Sequence, residues 1–352
     1  MTHELSMDVA EGEAWGARSG SFAGSYVMNQ ATSEVGDKIM FPRKKMRNQL
    51  SHYSVGKLGK QLHSVLPVDD PLRARTRSGR CAVVGNGGSL LLYKLGEEID
   101  AHDVVLRLNA GPAKGFEEHV GSKTTYRMVN RLHIGFRETE SEMVLQHVST
   151  PEALKEFTER RIVGLSIHPH FYMLDMSWHE FAYNHTDKGV LSNGMYGVLL
   201  ASELCEEVSV YGFLRDWRGK VQYHYYNSQE PNVMQSKRDN KEEERLALFI
   251  NSRPGTHRWG EPCMGHGMGS CSVPCGSECA LGAGCECGAW HPVPTKGFCY
   301  GGKHPQGTGV QDFTCMHRCS EGHEEDLCRG GVDSLCLDRE MYDAECSAAS
   351  TA

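Results

Sequence analysis

The sequence predicts an α/β fold: one mostly parallel β-sheet flanked by helices, followed by a cysteine-rich, irregular C-terminal tail. Three observations carry this. Short β-branched runs alternate with helix-patterned segments between residues 81 and 250, the order that builds parallel sheets. The first run ends in a glycine–asparagine turn, CAVVGNGG, that opens into a helical pattern. Twelve of the 14 cysteines crowd between Cys263 and Cys346, after the last of those segments.

The elements follow in chain order. Residues 1–40 mix Gly, Ser, Ala and acidic residues without periodicity and read as disordered. From Pro42 to His63 the chain is basic (Arg43, Lys44, Lys45, Arg47, Lys57, Lys60), which fits a solvated basic face or a short helix. CAVVGN (81–86) reads as a buried strand, SLLLYKLGEEID (89–100) as a helix and HDVVLRLN (102–109) as a second strand. TTYRMVN (124–130) and RRIVGLSI (160–167) read as further strands, with helical SEMVLQHV and PEALKEFTER between them. GMYGVLLASELC (194–205) is expected to be a helix, EVSVYGF (207–213) a strand and EEERLALFI (242–250) a last helix. This divides the chain into a disordered, basic N-terminal segment (1–65), a core domain (66–252) and a cysteine-rich module (253–352).

Composition excludes several classes. The net charge is −8, so no basic surface points to nucleic acid. No stretch approaches 18 consecutive apolar residues, and the first residues lack the basic and apolar regions of a signal peptide. Twelve cysteines within about 84 residues have the density of a disulfide scaffold made in an oxidising compartment. A zinc-binding tail is the competing reading, but the tail has no C-x2-C pair; its spacings are C-x3-C and C-x-C. Asn184-His185-Thr186 is a glycosylation sequon, which fits a lumenal chain.

The glycine–asparagine turn carries the chemistry. Gly85, Gly87 and Gly88 allow close backbone approach, and the helix start behind them offers unpaired N–H groups to an anion. A dinucleotide site is the obvious alternative. It needs a third glycine where Leu90 stands, and an acidic residue ending the second strand where Arg107-Leu108-Asn109 stands. On the residues alone this is a phosphate- or nucleotide-binding α/β domain.

The run from Cys81 to Asn130 resembles the large sialylmotif of the animal-type sialyltransferase family, in CAVVGN, IDAHD, RLN, GFEEHVG and KTT. LSNGMYGVLLASELCEEVSVYGF resembles the small sialylmotif, HYYN (224–227) the third motif, and IHPHF (167–171) the His-Pro element between them. The resemblance spans roughly Leu66 to Ile250. It implies a single Rossmann-like sheet of the GT-A-variant type and a disulfide between Cys81 and Cys205, the core's two cysteines; two buried free thiols are the alternative. It also implies that Asn86, Gly87, Asn109, Ser192, Asn193 and Gly194 bind a CMP-sugar donor, Asn193 standing where the family has threonine. His224 would hydrogen-bond the departing phosphate. No cofactor is implied beyond CMP-sialic acid as donor substrate. No Asp-x-Asp pair occurs in the chain, and a monophosphate leaving group can be met without a metal. The expected partners are the CMP-sugar and a glycoprotein or glycolipid acceptor, in the Golgi or secretory lumen.

The resemblance breaks at one point. The family's last motif places a histidine five residues before a glutamate, as the base that takes the acceptor's proton. Residues 228–250 contain no histidine; with Glu244 as the glutamate, Asp239 holds that position. Two expectations follow: an active inverting transferase using Asp239 or another base, or a catalytically impaired relative that binds nucleotide or glycan, with the tail as an interaction module. Acceptor and linkage lie in segments that match no motif.

Overall fold

The computed structural model of the chain describes residues 21–46, 49–73, 77–164, 168–185, 191–213, 222–229, 242, 246, 249–250, 253 and 255–260. The chain divides into two compact units. One holds Arg18–Gly85 and Lys94–Val208; the other holds Asn86–Tyr93 and the chain from Ser209 onward.

In the first unit β1 (Lys38–Met46) and β2 (Gln49–Lys57) form an antiparallel ribbon, followed by α1 (Lys60–Val65). β3 (Ser78–Val84), β4 (Val104–Leu108), β5 (Tyr126–Val129), β6 (Met143–Gln146) and β7 (Phe171–Met173) pair in parallel. Short helices α2 (Gly96–Asp100) and α3 (Glu117–Val120) lie between the early strands, and α4 (Pro151–Gly164) joins β6 to β7. α5 (Met176–Asn184) and α6 (Asn193–Leu204) follow, and α6 leads directly into β8 (Cys205–Tyr211). With β9 (His257–Trp259) the sheet runs in the order β7-β6-β5-β4-β3-β8-β9. Every residue of β4, β5 and β6 is buried, as expected of parallel strands covered on both faces. Gly197 lets α6 lie close to this sheet: an added methyl there would meet Leu106, Leu108 and Val83 side chains at 3.0–3.4 Å. Cys81 on β3 and Cys205 at the start of β8 are joined by a disulfide, with Cα atoms 6.0 Å apart.

The α/β architecture agrees with the sequence; four local expectations do not. Residues 21–46 and 49–65 are not disordered. Phe22 and Tyr26 pack against Trp178 of α5, Ile39, Phe41 and Val55 are buried, and the basic stretch is mostly the β1–β2 ribbon, with the short helix α1 only at its end. These aromatic anchors supply the burial that the segment's composition conceals. Met143–Gln146 is a strand, not a helix, because a short apolar run buried on both faces has no diagnostic period. Residues 160–164 continue α4 where a strand was expected. The pairs Lys155–Glu159 and Glu156–Arg160 support the helix, and Val163 is 79% exposed, whereas β4 to β7 are buried at every residue. The segment 89–100 is a short 3-10 turn, Gly88–Leu92, and then α2. The tail from residue 261 lies outside the described residues.

Behind the sheet, His147 and His179 stand ring to ring, centroids 5.0 Å apart, boxed by Tyr196 and Phe41. His179 Nδ1 lies 3.1 Å from the Tyr196 hydroxyl, while the Nε2 atoms of both histidines are buried without a partner. Burial lowers the His147 pKa to about 3 and holds His179 well below its ordinary value. Both rings are therefore neutral when folded but take a proton when unfolded below about pH 6.5. The unfolded state binds the extra protons, so stability falls as pH drops from about 6.5 towards 3. Each ring contributes about half of 1.4 kcal/mol per pH unit near pH 6.5, rising to about 1.4 by pH 5. Denaturation midpoints between pH 7 and 5 are expected to show this slope, and His147→Phe, similar in shape, to remove about half of it.

Candidate functional site

Two clusters hold the sequence-predicted residues, one in each compact unit. In the first, β4 is followed at once by Asn109, the single described non-glycine residue with a left-handed backbone (φ 51°). Asparagine tolerates that conformation, and it turns the side chain out of the strand's alternation. Asn109 Oδ1 accepts from Asn193 Nδ2 at 2.8 Å and from the Asn130 backbone N–H at 3.1 Å. Asn193 is the first residue of α6. Ser192 caps that helix, its hydroxyl accepting from Met195 N–H at 3.2 Å. With Asn109 Oδ1 and Asn193 Nδ2 occupied, the pair is left one amide donor (Asn109 Nδ2) and one carbonyl acceptor (Asn193 Oδ1), beside the positive end of a 12-residue helix with Gly194 in its first turn. This suits a polar, anionic ligand such as a nucleotide. At the position where the family has threonine, the Asn193 amide donates to both Asn109 Oδ1 and the Met128 carbonyl and keeps its own carbonyl oxygen as an acceptor.

Arg107 is structural. Its guanidinium donates to the carbonyls of Val120 and Lys123 and to the Thr124 hydroxyl, and it is 2% exposed.

In the second unit the glycine turn meets the third motif. Gly87 N–H donates to Gly212 O and Gly88 N–H to Gln222 O, while Tyr225 N–H donates to Asn86 O at 3.0 Å. Asn86 Nδ2 lies 3.5 Å from the Tyr226 hydroxyl. His224 stacks on Tyr226, ring centroids 5.1 Å apart and planes within 8°. Its Nδ1 is 3.3 Å from Asn227 Oδ1, an atom that also accepts from Gln229 N–H at 3.1 Å. That second donor identifies the atom as oxygen, so His224 Nδ1 carries the hydrogen and Nε2 is the ring's other hydrogen-bonding atom. Burial raises the Tyr226 pKa, which keeps the stacking phenol neutral.

A methyl on Gly88 would fall on the backbone carbonyl of Gln222. Gly88→Ala is expected to displace the His224 segment and lower kcat/KM for the transfer proposed below by about tenfold or more. Gly59→Ala, whose methyl meets nothing within 4 Å, should leave it unchanged.

Asp239 lies outside the described residues, as do Ile167 of the His-Pro element and Thr186 of the sequon. Glu242, Leu246, Phe249 and Ile250 of the expected last helix are helical and buried. Sequence reasoning missed Asn130 and Asn227. Each acts by orienting a neighbour; Asn227 closes the HYYN motif but was given no role there, and Asn130 has no spacing that marks it.

The model of glycosyltransferase family 29 (sialyltransferase) matches residues 27–159 and 136–251. The chain belongs to this family. Its glycosyltransferase family 29 relatives include the CMP-N-acetylneuraminate-beta-galactosamide-alpha-2,3-sialyltransferase 1 of Pan troglodytes, 33% identical over 199 residues, covering 49% of this chain and 56% of that protein. The Homo sapiens protein of the same name is 31% identical over 201 residues, with the same coverage. Sialyltransferase-like protein 2 of Arabidopsis thaliana is 34% identical over 163 residues, covering 44% of this chain and 34% of that protein. The chain thus spans little more than half the length of the first two. A crystal structure of a mammalian sialyltransferase shares the fold, with a TM-score of 0.50 and 22% identity, over 70% of this chain and 93% of that one. The family match begins at residue 27, well before the expected core boundary at 66, in keeping with the ordered N-terminal segment.

Proposed function

We propose that the protein transfers sialic acid, or a related keto-acid sugar, from a CMP-sugar to a hydroxyl of a glycoprotein or glycolipid glycan, with inversion, in the Golgi or secretory lumen. The observation that carries this is the Asn109–Asn193 amide pair at the head of α6, polar groups held ready for a nucleotide. The relatives' names, which contain CMP-N-acetylneuraminate, supply the donor class. The disulfide fits an oxidising lumen.

In this reading the acceptor oxygen attacks the anomeric carbon as the bond from that carbon to the phosphate oxygen breaks, and CMP leaves. His224 hydrogen-bonds the departing phosphate. The acceptor's proton passes to a base, for which Asp239 holds the motif position. The leaving group is a monophosphate, and the chain has no Asp-x-Asp pair to hold a metal on a diphosphate, so the reading requires no metal.

The missing motif histidine favours a second reading, a catalytically impaired nucleotide- or glycan-binding relative. Calorimetric titration with CMP, against UMP and GMP, tests the donor site that both readings share; failure to prefer CMP contradicts it. Asp239→Asn then separates them: turnover lost with CMP affinity kept supports Asp239 as the base, and unchanged turnover removes it from the mechanism.

A further inference from the structure

We propose that Arg127 is a positioning residue of the donor site, acting with Glu138 and Glu142 to hold the segment 109–114 in the shape that presents Asn109; this rests on the reading of Asn109 as a donor-binding residue. Arg127, on β5, has a fully buried side chain, and all five of its N–H donors are used. Nη1 donates to the carbonyls of Asn109 (3.1 Å) and Gly111 (2.9 Å). Nε and Nη2 donate to Glu142 at 2.5 and 3.3 Å, and Nη2 to Glu138 at 2.9 Å. Glu138 in turn accepts from the backbone N–H groups of Ala113 (2.8 Å) and Lys114 (3.2 Å). Glu142 accepts from the N–H groups of Glu138 and Thr139, which closes its own loop. The Phe136 ring lies 5.2 Å from the guanidinium carbon.

The segment 109–114 is thus held at both ends by one charged cluster: carbonyls at 109 and 111 by Arg127, amides at 113 and 114 by Glu138. The first residue held is the one whose left-handed backbone aims its amide out of the sheet. Energetics favour a positioning role over a purely stabilising one. Desolvating three charges offsets most of what their pairing contributes, so such a cluster is weak as a source of stability. Its planar fork of donors fixes geometry instead.

Arg127→Lys keeps the charge but has three donors in place of the five-donor fork. Glu138→Gln, at a side chain 17% exposed, is milder: it retains one acceptor oxygen for the two backbone amides and Arg127. CMP affinity by calorimetry, with the thermal midpoint measured in parallel, is the test. Arg127→Lys should weaken CMP binding by about tenfold or more, and Glu138→Gln in the same direction by less, with cooperative unfolding retained. Glu156→Gln, which breaks the surface pair with Arg160, should change neither quantity. Wild-type CMP affinity in both folded variants, with only the midpoint lowered, would overturn the proposal; if Arg127→Lys does not fold, Glu138→Gln decides in the same way. A wild-type protein that does not bind CMP overturns the donor reading and this inference together. Wild-type binding with unaffected variants overturns this inference alone.

Discussion

His224→Ala lowers kcat for sialyl transfer by roughly 10²–10⁴-fold, the range for a group that assists charge or proton movement in the transition state, while donor KM changes little. The ring's orientation is set twice. It stacks flat on Tyr226, and its Nδ1–H is held by an Asn227 oxygen that a backbone amide also fixes. With Nδ1–H so held, a proton carried on Nε2 is donated to the departing phosphate without reorganisation of the ring, and that is the source of its effect. His224→Gln should recover part of the loss, because an amide can still donate a hydrogen bond but cannot carry a proton. Steady-state kinetics of the three proteins with CMP-sialic acid and an asialo-glycoprotein measure the split. A proportional rise in donor KM with kcat unchanged would place His224 in ground-state binding instead.

The second large effect is on stability. Removing the Cys81–Cys205 bridge, as Cys81→Ala/Cys205→Ala, is expected to cost about 4–5 kcal/mol in the chain-entropy model. The two residues are 124 apart in sequence, so the bridge removes much of the unfolded chain's freedom. Both sulfurs sit where sheet and helix converge: Cys81 on β3, and Cys205 at the junction of α6 with β8. Alanine at both sites leaves no buried free thiol, so the loss reports the bridge itself. Denaturant midpoints of oxidised wild type, reduced wild type and the double variant give the comparison, with the last two expected to fall together. Because α6 begins at Ser192 and Asn193, loosening its far end should also weaken CMP binding in the double variant.

What the sequence made legible follows from physical signals of different strength. β3, β4, β5, α6 and β8 were readable because β-branched runs or a long helical period coincide with their final burial. Cys81 and Cys205 were readable through the family motif, and the structure joins them. β6 and the end of α4 were misread because Met143–Gln146 has no period and Ile162-Val163 looks β-prone, while the helix rests on side-chain pairs one turn apart. Residues 21–65 looked featureless because their order comes from Phe22, Tyr26 and Ile39 packing on distant elements, which no local pattern encodes. At the candidate site, Asn86, Asn109, Asn193 and His224 were named from motifs. Their partners Asn130, Arg127 and Asn227 fall within the same motif runs but were given no role, since a residue that acts by holding another leaves no chemical signature of its own.

The most direct measurement is transfer itself. Purified protein is incubated with CMP-sialic acid and an asialo-glycoprotein, with EDTA present, and the product glycans are weighed by mass spectrometry. Glycans heavier by one sialic acid residue and an equal amount of CMP released, undiminished by the chelator, are expected. CMP-sialic acid bound with neither transfer nor hydrolysis would contradict this and leave a nucleotide-binding protein without the reaction.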